Sequence, residues 1–331
     1  MKNNIPVYIQ QILACPTCGG DLLFSDNQSI NQSIYCTICN KYYPIIDDIL
    51  RFVEVDDQLL LQAKIHWEDS PNYQYEAKSS LYSMDYYEEQ DKWRKEEIDP
   101  YIMNEYQFES IKGKIILDVG CGSGWVVKQA SMNGAYAIGV DFTEKACIST
   151  KRALETYGLE GLVIQADAQK LPIKSNMIDR FFSIGVLHHL PNTELGVSEA
   201  FRVMKNGGTG LISLYGKLFF FNPILFPIAI SLLKMFINAP TVRNGIQYAK
   251  NYDEFYRLMD GPTNPIGRWY TNHSLKQLFY KFRIVSITKS HFPLRYLKLL
   301  GVPMKRFIPN GIHRLLENNF GMMRNVQLYK E

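Results

Sequence analysis

The chain has 331 residues, 46% hydrophobic and 21% charged, proportions that exclude wholesale disorder and fit one or two folded domains. Its net charge of +3 hides a division: Asp47 to Glu109 carries 17 acidic and 6 basic residues, whereas Ala200 to Glu331 carries 19 basic and 5 acidic ones. A basic half suits nucleic acid, an anionic membrane surface or a phosphorylated substrate, unless it is simply a solvated face.

The opening MKNNIPVYIQQILACPTC has no long apolar stretch and no small-residue cleavage site, so a cytoplasmic protein without a secretory leader is expected. Two CxxC pairs follow, Cys15-Pro-Thr-Cys18 and Cys36-Thr-Ile-Cys39, with 17 residues between them. This is the spacing of a four-cysteine zinc site: each turn presents two thiolates, and two turns close a tetrahedron around the ion. With no position left for water, such a site is structural. A redox pair or buried free thiols is the alternative. Gly19-Gly20 lets the chain leave the first tight turn. Asp21–Phe24 and Ser33–Tyr35 read as short strands.

The phrase Lys41-Tyr-Tyr-Pro-Ile-Ile-Asp-Asp-Ile-Leu50 completes a segment, residues 1–55, that resembles the small zinc-ribbon proteins that activate methyltransferases. Those proteins have a glycine where this chain has Asp48. The resemblance implies a ribbon that faces a protein partner or a neighbouring domain. Residues 56–112 then form an acidic, tyrosine-rich linker or cap with helical patches at Asp57–Ile65 and Met84–Glu97. Its Tyr86, Tyr87, Trp93 and Tyr101 are either pocket aromatics or plain packing residues.

The third region is residues 113–331. Lys114–Leu117 is an apolar run suited to a buried parallel strand. It leads into Asp118-Val-Gly-Cys-Gly-Ser-Gly124 and a helix over Trp125–Met132, the opening of a nucleotide-binding α/β sheet. A second strand, Ala135–Val140, ends in Asp141, 21 residues after Gly120, where an acid can accept both ribose hydroxyls. A dinucleotide fingerprint needs a small third residue, but counting from Gly120 that position is Trp125. The acid at Asp118, two residues before the first glycine, suits a ligand amino group rather than a pyrophosphate. S-adenosylmethionine is therefore favoured over NAD. Further strands are expected at Leu162–Gln165, Asp179–Ile184 and, after a glycine turn, up to Tyr215, with a helix at Thr193–Met204.

The phrases ILDVGCGSG, GVD, ADAQKLP, VLHHL and FRVMKNGG, in this order, resemble the class I methyltransferases of the type 11 group. The resemblance implies a seven-stranded Rossmann-like sheet and S-adenosylmethionine as cofactor. It implies that Asp118, Gly120, Gly122 and Gly124 hold the methionine end, that Asp141 takes the ribose, that Asp167 and Ala168 meet the adenine edge, and that Gly185 lies beside the methyl group. His188 and His189 follow the fourth strand at its carboxyl end and are the candidate bases, although LHHL is also a packing phrase of this group. Tyr215 is a weaker candidate.

Late core pieces are a helix at His273–Lys281 and strands at Phe282–Thr288 and Arg324–Tyr329. Two insertions, about 216–272 and 290–320, are expected to carry substrate specificity, and the turn-rich loop Asp260–Pro265, with Arg268, Trp269 and Tyr270, is expected to complete the pocket. Residues 218–237 are very apolar, but Pro223 and Pro227 argue against a spanning helix. A buried lid or a membrane-contacting segment remains. The reading that results is a methyltransferase for a small, hydrophobic or lipid-linked acceptor, with peripheral membrane contact as a further expectation. An RNA methyltransferase is the alternative, against which the ribbon is not basic and no RNA-binding signature is present. A non-catalytic zinc scaffold is a third, against which the glycine loop and its acids are intact.

Overall fold

The computed structural model describes residues 5–24, 33–55, 57–71, 77–98, 103–236, 248–292, 298–299, 302–303 and 307–331. A single helical turn, α1 (Val7–Gln10), precedes the cysteine turns. Strands β1 (Leu22–Phe24), β2 (Ser33–Cys36), β3 (Tyr42–Ile46) and β4 (Ile49–Arg51) follow as an antiparallel series. The β3–β4 hairpin turns on Asp47 and Asp48, both with positive φ, 52° and 58°. A two-residue hairpin matching the sheet's twist needs positive φ at both positions, and aspartate enters that region more readily than most residues. Aspartate in place of glycine at 48 therefore leaves the turn intact.

The linker is helical, as its composition suggests. Helix α2 (Gln58–Asp69) is capped by Asp57, which accepts the Leu60 N–H at 2.9 Å. Helix α3 (Met84–Trp93) is capped by Ser83 and runs on as a wider turn over Arg94–Ile98, followed by α4 (Met103–Tyr106). Tyr86 and Tyr87 are buried against Ala153 and Tyr157 as packing residues. Tyr101 lies outside the described residues.

The catalytic part alternates strand and helix: β5 (Ile115–Val119), α5 (Trp125–Met132), β6 (Tyr136–Asp141), α6 (Glu144–Thr156), β7 (Gly161–Gln165), β8 (Ile178–Ile184), α7 (Thr193–Val203) and β9 (Met204–Tyr215). The first insertion holds α8 (Leu225–Phe236) and α9 (Tyr252–Met259). Then come α10 (Asn272–Leu278), β10 (Arg283–Ser290), a two-strand hairpin of β11 (Lys298–Leu299) and β12 (Val302–Pro303), α11 (Asn310–Phe320) and β13 (Met323–Tyr329). Gly207, Gly208 and Gly210 lie within β9 and not in a turn before it, opposite a register shift in β8.

One sheet gathers eleven strands in the order β1-β2-β3-β4-β7-β6-β5-β8-β9-β13-β10. From β7 to β9 the five central strands are parallel, and β13 runs antiparallel between β9 and β10. Those seven are the seven expected. The sheet is wider because the ribbon joins it: β4 pairs in parallel with β7, Leu50 opposite Ile164. Ala14 and Phe52 donate to the carbonyls of Pro172 and Gln165 at 3.1 and 2.8 Å, and Lys174 donates to that of Ile12 at 2.7 Å. Ile34, Tyr43, Leu50 and Phe52 share one apolar core with Leu117, Ile138 and Ile164. Apolar burial therefore runs unbroken from ribbon to sheet.

Among the described residues, no helix is long and apolar enough to cross a membrane. In the apolar insertion, Leu218, Phe220, Phe221, Phe226 and Ile230 are buried with Phe255 and Tyr256 against Tyr215.

Candidate active site and metal centre

The two CxxC turns are built alike. Gly19 donates to Cys15 O at 2.8 Å and Asn40 donates to Cys36 O at 3.1 Å, with φ of 73° and 59°. Each knuckle thus ends in a left-handed residue, glycine in one and asparagine in the other. The four Sγ atoms of Cys15, Cys18, Cys36 and Cys39 lie within 4.8 Å of one another, and all four thiols are free. Cys15–Cys39 is 3.6 Å and Cys18–Cys36 is 3.5 Å. A disulfide requires about 2.05 Å. A Zn–S bond of about 2.3 Å in a tetrahedron sets sulfur–sulfur edges of about 3.8 Å, close to what is seen. The four residues fit a closed tetrahedral zinc site.

At the opposite end of the sheet's logic, the carboxyl ends of β5, β6, β7 and β8 open on a cavity of about 230 Å³. Three glycines after β5 have left-handed backbone, with φ of 79° at Gly120, 53° at Gly122 and 82° at Gly124. A Cβ at Gly120 would lie 2.2 Å from Val186 Cγ2, and one at Gly124 would lie 2.7 Å from Thr150 Cα. The loop therefore requires glycine for both conformation and space. Gly120 and Gly122 line the cavity, while Gly124 caps α5 behind it.

Asp118 and Asp141 face this cavity. Asp118 is fully buried, and burial pushes its carboxyl up to about 7, with Arg94 opposing and Asp141 adding to the rise. Burial also raises Asp141, against hydrogen bonds from Thr143 (2.9 Å from N, 2.8 Å from Oγ1) and from Gly122 N (3.1 Å). A buried carboxylate, Asp118, and a half-buried one, Asp141, with Arg94 facing the first, make a cavity suited to a cation. Asp167 accepts from Gln169 N at 2.8 Å and lines the wall with Ala168. Gly185, with φ of 79°, has no atom within 4 Å of where a Cβ would stand, so it leaves the floor open.

The two histidines part company. His189 lines the cavity, and its Nδ1 donates to Ile266 O at 2.7 Å, which leaves Nε2 as the acceptor nitrogen. That Nε2 stands 3.6 Å from Asp260 Oδ2, and Asp260 accepts from the Tyr215 hydroxyl at 2.8 and 3.0 Å. Burial lowers the His189 pKa to about 4, against the Ile266 carbonyl. His188 is wholly buried behind it, with its ring 4.1 Å from that of His189 and 3.9 Å from that of Tyr215, and does not line the cavity.

Two features escaped the sequence. Leu60, Ala63 and Trp67 of α2 form a wall, and the Trp67 ring lies 4.8 Å from His189. Arg94 faces Asp118 from the end of α3. Of the loop expected to complete the pocket, Asp260 stands behind His189, and neither it nor Arg268, Trp269 or Tyr270 lines the cavity. The first insertion contributes no lining residue among those described; it backs His189 through Asp260 and Ile266 instead of roofing the cavity.

A glycine loop between parallel strand and helix, with acids ending the first two strands, defines a class I methyltransferase fold. Residues 117–212 match the methyltransferase domain family, and residues 10–48 match the Trm112p-like family. The chain thus carries a methyltransferase domain joined to a Trm112p-like ribbon. It is 27% identical to an uncharacterised chloroplast methyltransferase of Arabidopsis thaliana, over 62% of this chain and 63% of that protein. It is 34% identical to a sterol 24-C-methyltransferase of Pneumocystis carinii over 29% of this chain, and spans only 26% of that enzyme. Among solved structures, a complex between the Haloferax volcanii Trm112 methyltransferase activator and a methyltransferase aligns at 13% identity with a TM-score of 0.47, covering 84% of this chain and 100% of that one.

Proposed function

We propose that the protein transfers a methyl group from S-adenosylmethionine to a small, hydrophobic or lipid-linked acceptor. The observation that carries the reading is the buried Asp118 carboxyl, raised to about 7 at the mouth of the glycine loop. Such a group is stabilised by a ligand that brings positive charge. In this reading Asp118, Gly120, Gly122 and Gly124 hold the amino-acid end of the cofactor, Asp141 its ribose hydroxyls, and Asp167 with Ala168 its adenine edge. Gly185, with open space where a Cβ would stand, would leave room for the methyl group. Zinc, held by Cys15, Cys18, Cys36 and Cys39, keeps the ribbon folded.

The bound cofactor supplies a methyl carbon on a sulfonium, which leaves as a neutral thioether. The protein's task is to align an acceptor with that carbon and exclude water. Trp67, Leu60 and Ala63 give the cavity an apolar wall. His189 faces the cavity as a neutral imidazole whose Nε2 can accept the proton of a hydroxyl or amine acceptor, with the Asp260 carboxylate 3.6 Å away. The likeness to a sterol methyltransferase and the apolar wall of Leu60, Ala63 and Trp67 support an apolar acceptor.

Calorimetric titration of the protein with S-adenosylmethionine and with NAD, beside an Asp141→Ala variant, tests this. Micromolar binding of S-adenosylmethionine, lost in the variant and absent for NAD, is expected. Failure to bind either ligand refutes the reading and leaves the ribbon scaffold. Methyl transfer to RNA but to no amphiphile would move the acceptor to nucleic acid.

A further inference from the structure

Helix α8, LFPIAISLLKMF, is apolar apart from Ser231 and Lys234. It buries Phe226 and Ile230, yet Ile224 just before it and Ile228 and Leu232 along it are 77%, 54% and 50% exposed. Residues four apart share a helix face, so the three make one stripe. Phe219, 61% exposed, stands at its foot with its ring 5.2 Å from that of Phe320, the last residue of α11. Helix α11 is inverted: it buries His313 and Glu317, 3.3 Å apart, and turns Ile312 and Leu315 outward. Helix α8 and helix α11, linked through the Phe219–Phe320 contact, thus each present large aliphatic side chains to solvent, a cost that a covering apolar phase removes.

Charge selects the phase. From Gly216 to Tyr252 the sequence has no Asp or Glu and carries Lys217, Lys234, Arg243 and Lys250. From Gly261 to Leu316 it again has no acid, and ten Lys or Arg. Lys217 and Arg314 are exposed beside Phe219 and Leu315. The acids between these stretches are occupied: Asp253 accepts from Trp269 Nε1 at 2.9 Å, Glu254 from Lys250 N at 2.8 Å, and Asp260 from Tyr215. A second copy of this face would set cation against cation, whereas an anionic bilayer complements both the stripe and its charges.

We propose that the outer faces of α8 and α11, with Phe219, form a docking surface for an anionic lipid bilayer. Its purpose rests on the lipid-linked acceptor proposed above: the inner face of the same segment packs on Tyr215, whose hydroxyl holds Asp260.

The test is co-sedimentation of the full chain with vesicles of equal parts phosphatidylglycerol and phosphatidylcholine, and with phosphatidylcholine alone. An Ile228→Glu/Leu232→Glu variant and a Lys217→Glu/Arg314→Glu variant are compared, with S-adenosylmethionine affinity and solution mass measured in parallel. The native protein pellets with the anionic vesicles and less so at high salt. Both variants lose about tenfold or more of that binding and keep their cofactor affinity. Native protein that stays in the supernatant, or variants that pellet like it, overturns the proposal. So does a native dimer that the first variant converts to monomer. Vesicle binding without cofactor binding sinks the methyltransferase reading and leaves the surface standing; the reverse sinks the surface alone.

Discussion

At the scale of single residues, the loop after β5 tolerates little change: Gly120 holds a φ of 79° with Val186 against the place a Cβ would take. Gly120→Ala should therefore destabilise the fold by about 2–4 kcal/mol, since a Cβ would meet Val186 at 2.2 Å on a backbone that disfavours it, and a lowered thermal midpoint would register this. The glycine loop and the paired cysteines were legible, because positive φ and two-residue thiol spacing leave marks in adjacent letters. Arg94 and Trp67 were not, because each reaches the site only through tertiary packing. The Asp260 loop was legible as part of the site, but its approach to His189 was not. His188 and His189 were indistinguishable as adjacent letters; the fold puts one ring on the wall and the other behind it. The expected consequence is asymmetric. His189→Ala should slow methyl transfer about 100-fold or more with S-adenosylmethionine affinity little changed. His188→Ala should act mainly on stability, as a cavity in the packing around Tyr215. Equal loss of turnover in both variants at unchanged stability would contradict this division.

At the scale of elements, strand and helix positions followed from apolar periodicity and came out close to the observed spans. Partnering did not, because pairing between β4 and β7, more than a hundred residues apart, has no local signature. That pairing has a consequence. Arg51 at the end of β4 is buried and donates to Gln165 Oε1 at 2.8 Å, and Gln165 Nε2 donates to Phe142 O at 3.1 Å, next to Asp141. Glu68 of α2 accepts from Glu144 N and Lys145 N at 2.9 and 3.0 Å, at the start of α6. The loop carrying Asp141 is thus braced from the ribbon side and from the linker side. Arg51→Ala is expected to weaken S-adenosylmethionine binding several-fold while leaving Asp118 in place, as read by calorimetry. An unchanged affinity would show that the ribbon strand supports stability only.

At the scale of the molecule, ribbon and catalytic sheet share one apolar core and one hydrogen-bonded sheet. The sequence divides them at about residue 55, where composition changes, although the hydrophobic contacts cross that line. Stripping metal with a chelator should then lower the thermal midpoint of the whole chain in a single transition, because the ribbon's loss exposes the edge of β7 and the core beneath it. Two resolved transitions, with the upper one unmoved by the chelator, would mean that the sheet stands without its ribbon.

The central claim is that the cavity is built around a buried carboxyl awaiting a cationic ligand. Burial raises the Asp118 carboxyl to about 7; a bound ammonium favours the carboxylate, so binding is expected to release a proton, and affinity to rise with pH through that range until the ligand's own ammonium begins to titrate at about 8. The direct measurement is calorimetric titration with S-adenosylmethionine from about pH 6 to about pH 8, in buffers of different ionisation enthalpy, for the native chain and Asp118→Asn. The account predicts proton release on binding below about pH 7 in the native chain, and weaker binding without proton release in the variant. Absence of binding, or binding whose proton linkage is the same in both proteins, would contradict it.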